Sequence, residues 1–268
     1  MPTIETVAAL LAKSERTDNA DEADAYLAKA QQLATLHAID LASLAARQDR
    51  RRTPAVLTQR TIRVGEPRRA ANTHLVELFS AIARPNDVLI DVAHNSTYVI
   101  AYGTTDDIDT SEAIWLACAP RMVQGAHAWM KSRKWSGETT RKYRPGVGIV
   151  DVPITGRTAK ATYMLAFTSR IGARLREARQ AAVTEHDTAP GAGAAAGSGD
   201  AELVLVQKSA QVRSFHAAKS KARGTWRGYG GSAAGAGSGS ARAGDAAARV
   251  TRLGGSPELG KAGELPAG

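Results

Sequence analysis

Six cations and two aromatic rings crowd one stretch of the chain, "MKSRKWSGETTRKYRPG", residues 130–146. Lys131, Arg133, Lys134, Arg141, Lys142 and Arg144 surround Trp135 and Tyr143. These side chains suit recognition better than bond making. Lys and Arg neutralise phosphates and release counterions, and an exposed ring offers a stacking face to an unpaired base. Rings spaced among cations match what a single strand or an RNA loop presents. A solvated basic loop whose rings turn back into the core accounts for the same residues. A second stretch, "KSKARGTWRGYGG", repeats the theme with Trp226 and Arg227. Its Arg-Gly and aromatic-Gly steps resemble segments that hold single strands loosely, and a tail that aids solubility has the same composition.

Bond-making chemistry finds little footing. His37, His74, His94, His127, His186 and His216 are scattered, with no pair at zinc-ligand spacing. Asp91 and His94 stand three apart at a hairpin end, which leaves a metal-dependent hydrolase as a minor alternative to a polar turn. Asp106, Asp107 and Asp109 are accounted for by helix capping. The single cysteine, Cys118, lies in the apolar run "AIWLACAPRM" and is expected in the core. "GVGIVDV" lacks the third glycine and the strand–turn–helix setting of a nucleotide fingerprint. No catalytic residue, metal or cofactor is expected.

Charge supports the recognition reading. The chain carries +9 overall, distributed in alternating blocks. Residues 1–49 hold 4 basic and 8 acidic residues, 50–70 hold 7 and 1, and 71–130 hold 2 and 7. Residues 131–186 then hold 12 and 4, and residues 205–268 hold 10 and 3. Basic blocks of +8 and +7 favour a polyanion or an acidic protein as partner. The acidic first block suits an adaptor that docks a basic protein or a second copy of the chain. A run of about 18 apolar residues is missing, as is the basic-then-apolar start of a secretory signal, so no membrane partner and a cytoplasmic location are expected.

The elements that must position these residues follow from periodicity and punctuation. Residues 3–16 form a helix, and Asn19 caps a second that buries Ala23, Tyr26, Leu27, Ala30, Leu33, Ala34 and His37 on one stripe. A short third helix spans Leu41 to Arg47. After a basic connector at 50–70, in which Val56 to Val64 add a short strand, Asn72 caps a helix that ends before Pro85. Two alternating runs, Val88–Val92 and Tyr98–Tyr102, flank "AHNS", where Asn95 tolerates the left-handed turn of a β-hairpin. Thr105 or Asp106 caps the next helix, which Pro120 kinks or splits. A basic loop at 131–158 leads to a long helix buried through Ala161, Met164, Leu165, Thr168, Ile171, Leu175, Ala178 and Ala182. The segment 187–201 is a Gly/Ala linker, 203–206 a strand and 209–222 a short helix. From residue 224 to 268 the chain is poor in large apolar residues and is expected to stay disordered.

The segment "IETVAALLAKSERTDNADEADAYLAKAQQLATLHAID", residues 4–40, resembles the small helical family catalogued as domain of unknown function 2786. Leu10–Leu11, the Thr17-Asp18-Asn19 loop, "EADAYLAKAQQL" and His37 carry the likeness. The helix–hairpin–helix–helix order over about 70–222 is similar to a module that often follows it, catalogued as domain of unknown function 7168. The first resemblance implies a bacterial or phage-borne protein and brings no activity. The resulting fold class is α+β: a helical N-terminal module at 1–49, an α+β domain at 71–186 with 202–223 packed on it, and a basic tail. The expected role is a non-enzymatic accessory that contacts nucleic acid without sequence preference.

Overall fold

A computed structural model describes residues 6, 9–10, 25–26, 28–36, 56–188 and 200–251. The protein is α+β. Its main sheet has the order β1-β3-β2, all antiparallel, from Leu57–Arg63 (β1), Leu89–Val92 (β2) and Tyr98–Thr104 (β3). The strand after the connector therefore joins the expected hairpin and makes β3 central. Register places Ile62 opposite Val99 and Ile90 opposite Ala101, so β2 and β3 share an apolar face that Ile62 extends, while Arg60, opposite Ala101 on β1, brings a charge to its edge. In the β2–β3 turn it is Ser96, not Asn95, that takes positive φ (55°). Asn95 instead uses its Oδ1 to accept from the Thr97 amide and hydroxyl at 3.2 and 2.8 Å, an Asx turn.

The apolar face meets two helices, α1 (Asn72–Ala83) and α2 (Thr105–Ser132). Asn72 does not cap α1. It sits inside the first turn and donates Nδ2 to the Glu66 carbonyl at 2.7 Å, closing the preceding loop. Thr104 caps α2, its Oγ1 accepting from the Asp107 amide, with Asp106 and Asp107 at the positive end of the helix dipole. The helix passes through Pro120 without splitting. Val76, Phe79 and Ile82 of α1 and Ile114, Cys118 and Met122 of α2 are buried. That packing outweighs the one hydrogen bond the proline removes. Burial pushes the Cys118 thiol far above its ordinary range, so it is a small apolar filler.

Helix α3 (Gly156–Thr188) runs through the centre of the helical layer. Seven of the eight expected stripe residues are buried; Leu165 is partly exposed. Ala159, Thr162, Tyr163 and Phe167 are buried as well, so the first half of α3 is covered on more than one face. The additional cover comes from the segment expected to be structureless. Residues 224–251 are ordered, and Gly239–Arg249 forms a helix, α5, packed on α3 and α2. Ser238 caps it, and the small residues Ser240, Ala241, Gly244 and Ala248 face inward. A Cβ on Gly244 would run into the Tyr163 carbonyl oxygen, so glycine sets how closely the two backbones approach. Arg170 clamps Asp245 through Nε at 2.6 Å, and Arg174 reaches the Ala248 carbonyl. Residues 252–268 of the expected tail, and 189–199 of the linker, lie outside the described residues.

The far side of the sheet carries α4 (Asp200–Lys219). One helix therefore replaces the expected strand at 203–206 and short helix beyond it. Leu205 and Val212 are its buried apolar anchors, and polar pins hold the rest. Lys208 donates to Asp107 at 2.9 Å, and Ser209 reaches Asp87. Asp87, itself at positive φ, is gripped by both oxygens on Arg179 Nη2 at 3.0 and 2.9 Å. Burial nevertheless holds the Asp87 carboxyl above its usual range, outweighing Arg179 and Lys208. Helical residues 28–36 bury Ala30, Gln31 and Thr35, and Gln31 Nε2 donates to Asn86 Oδ1 at 3.1 Å. The buried face thus includes polar Gln31 and Thr35, outside the expected apolar stripe. The other helices expected before residue 50 lie largely outside the described residues.

Candidate functional site

The basic stretch folds as a second, separate sheet of two strands. β4 (Thr139–Arg144) and β5 (Gly148–Pro153) pair only with each other. The expected loop at 131–158 is therefore a β-hairpin, and its local sequence says why. Pro145 and Gly146 occupy the central positions of a turn closed by the Val147 amide on the Arg144 carbonyl at 3.1 Å. Gly146 has φ 78° there, the positive value a type II turn asks of its third residue, and Gly148 has φ 91°. "TTRKYR" and "GIVDVP" on either side then alternate as strands do.

Register sorts the side chains by face. Arg141 stands opposite Asp151 and Tyr143 opposite Ile149 on one face, with Lys142 opposite Val150 on the other. Tyr143 is 73% exposed, and Val147 and Ile149 are each 71% exposed, the three highest values of any large apolar side chain among the described residues. Arg141, Lys142 and Arg144 are exposed alongside them. Lys131, Arg133 and Lys134 lie at the foot, where α2 ends, and are exposed too. Among the described residues, none of these six cations pairs with a carboxylate, whereas Arg60, Arg170 and Arg179 each do.

The foot is anchored. Trp135 donates Nε1 to the Met130 carbonyl at 3.2 Å, and its ring lies against Gly156, where a Cβ would come within 3.3 Å of it. Trp135 thus serves as a structural bracket, partly buried. Glu138 accepts from the Ser240 hydroxyl at 2.9 Å, and the same hydroxyl accepts from Trp129 Nε1 at 3.0 Å. The start of α5 therefore fastens the hairpin to the body. Trp226 departs from expectation as well: it packs half-buried against the main core, while Arg227 is exposed. The neighbouring Tyr229 stacks on His74 at 4.5 Å, and its amide donates to Glu77 at 2.7 Å. The two basic-aromatic stretches keep one exposed ring between them at the hairpin, Tyr143.

Sequence reasoning missed Pro145, Val147 and Ile149. The Pro-Gly pair between two alternating runs was the signal for them. The Asp91–His94 pair is not what the structure assembles. His94 is exposed, and Asp91 accepts instead from His216 Nε2 at 2.9 Å, Ser220 Oγ at 2.7 Å and Tyr102 OH at 2.8 Å. Burial would raise the Asp91 carboxyl, but these three donors hold it below its usual range. Burial and Asp91 push the Tyr102 phenol up to about 12. All three partners turn toward the carboxylate, so the Ser220 hydroxyl rests on Asp91 and not on the His216 imidazole. The cluster latches α4 to the sheet. Among the described residues, no group of three or more His, Cys, Asp and Glu side chains could hold a metal ion.

Residues 3–41 match the family Protein of unknown function (DUF2786). No curated protein and no solved structure matches the chain. The DUF2786 match covers the helical residues 28–36 that pack on Asn86, and it carries no activity to the hairpin. The resemblance of residues 70–222 to a follow-on module gains no support from it. No helix among the described residues is long and apolar enough to cross a membrane.

Proposed function

We propose that this protein is a non-enzymatic accessory that contacts nucleic acid, with the β4–β5 hairpin as its contact element. The observation that carries the reading is the projecting hairpin itself, with Arg141, Lys142 and Arg144 unpaired around exposed Tyr143. Cations left without carboxylates are free to replace the counterions of a phosphate backbone, and Lys131, Arg133 and Lys134 extend that surface to the foot. The acidic residues nearby are Asp151, beside Arg141, and Glu138, which is occupied by Ser240. A second copy of the same hairpin would meet it with like charge, which argues against self-association through this surface.

The test is anisotropy of labelled duplex and single-stranded DNA over a salt series. Wild type is expected to bind with a steep salt dependence. Changing Arg141, Lys142 and Arg144 to Gln is expected to weaken binding at least tenfold and to reduce the log–log salt slope by roughly 0.9 for each phosphate no longer neutralised. An unchanged slope and affinity would sink the assignment of the hairpin.

A further inference from the structure

We infer that the hairpin is a wedge for duplex DNA: its ribbon enters the minor groove, and the tip residues Pro145 and Val147, backed by Ile149, press into a base step and bend the helix. The inference rests on the nucleic-acid reading above and names its substrate.

Three observations point to it. The first removes the alternative of a single-strand surface. Binding an unpaired strand calls for several rings on which successive bases stack. Trp135 is bracketed against Gly156 and Trp226 is packed on the core, which leaves Tyr143 as the one exposed ring of the two basic stretches. The second is the form of the element. A two-stranded ribbon is a shape that enters a duplex groove, and its strands are about 4.8 Å apart before side chains are added. The B-form minor groove is only about 6 Å wide, so such a ribbon fits it only where the duplex is opened by bending.

The third is the order of chemistry along the hairpin. Apolar groups cluster at the tip: Pro145 and Val147 in the turn, with Ile149 and Tyr143 facing each other one pair below Arg144 and Gly148. The cations Arg141, Lys142 and Arg144 stand beside and behind them. Apolar side chains inserted between base pairs cost a few kcal/mol of unstacking, which phosphate contacts along a bent duplex offset. Space at the tip is open, since a Cβ on Gly146 or Gly148 would touch nothing within 4 Å. The foot is rigid by contrast, held through Trp135 and through Glu138 on Ser240. An anchored lever with an apolar point and basic flanks is what forcing a base step requires.

The experiment uses full-length protein and a duplex of about 30 base pairs labelled at both ends, with a central TA step in one version and an A-tract in another. Wild type is expected to raise end-to-end energy transfer on the TA duplex, less so on the A-tract, and to bind duplex more tightly than single strand. Val147→Ser and Ile149→Ser lie at exposed positions and leave Pro145 and Gly146, the central residues of the turn, in place. They are expected to abolish most of the energy-transfer change while affinity stays within about threefold, because phosphate contacts supply most of the binding. Duplex bound without bending, bending unaltered in both variants, or single strand bound as tightly as duplex would each overturn the wedge while leaving nucleic-acid binding intact. No binding to any of these at low salt would overturn both readings.

Discussion

Asp91 shows how one side chain changes meaning between sequence and structure. Beside His94 it resembles half of a metal or catalytic pair. In the fold it is the acceptor for Tyr102, His216 and Ser220, two of which come from the far end of α4 and the residue just beyond it. Its folded pKa is lowered, so it stabilises the protein above the unfolded value of about 3.9, and that contribution is lost as pH falls through the folded value. Asp91→Asn is expected to cost about 1–2 kcal/mol at pH 7, the scale of hydrogen bonds to a charged acceptor. The gap from wild type should narrow as pH is lowered through the folded value. Urea unfolding of both proteins at pH 7, 4.5 and 2.5 checks this, and an equal gap at all three values would refute the ionic latch.

At the scale of elements, α3 and α5 meet almost backbone to backbone. A helix of Ser, Ala, Gly and Arg has little apolar area of its own, and its small side chains are what let it lie against another backbone. Gly244 shows the requirement most sharply, with the Tyr163 carbonyl where its Cβ would be. Gly244→Ala raises helix propensity, worth up to about 1 kcal/mol if nothing else changed. The clash outweighs this, and a net loss of about 1–3 kcal/mol is expected, as for other overpacked sites. Thermal unfolding decides the sign: a higher midpoint for Gly244→Ala would mean that α5 does not pack as described.

For the whole molecule, the consequence is that its C-terminal part is a component of the core and a support for the hairpin. Removing everything after Arg223 would uncover α3 around Tyr163 and Phe167. It would also break the Arg170–Asp245 pair and release Glu138 and Trp129 from Ser240. A loss of at least 3 kcal/mol is expected, lowering the melting midpoint by roughly 6–12 °C for a protein of this size. A disordered tail would leave the midpoint where it was, so calorimetry of the truncated and full chains separates the two. Ser240→Ala is the milder companion, expected to leave α5 in place while loosening the hairpin foot, seen as faster amide exchange at Ile154, whose amide donates to the Glu138 carbonyl across the foot.

Local pattern carried much of the fold. Alternation in "VLIDV" and "YVIAY", the 3–4 spacing of Ala161 to Ala182, and Pro85 as a stop all specify elements through neighbours a few residues away, which is where propensity and periodicity act. The basic character of the hairpin was legible for the same reason. What only the tertiary structure decided lay in contacts between distant parts of the chain. Composition argued for disorder after residue 224, because small residues bury little area. It could not register that a groove on α3 admits only small residues. Trp135 and Trp226 looked available because a ring's neighbours in sequence are polar, while the backbone carbonyl and core that take them up lie elsewhere in space. Charge is a property each residue brings with it. Whether that charge or ring stays exposed is settled by what packs against it.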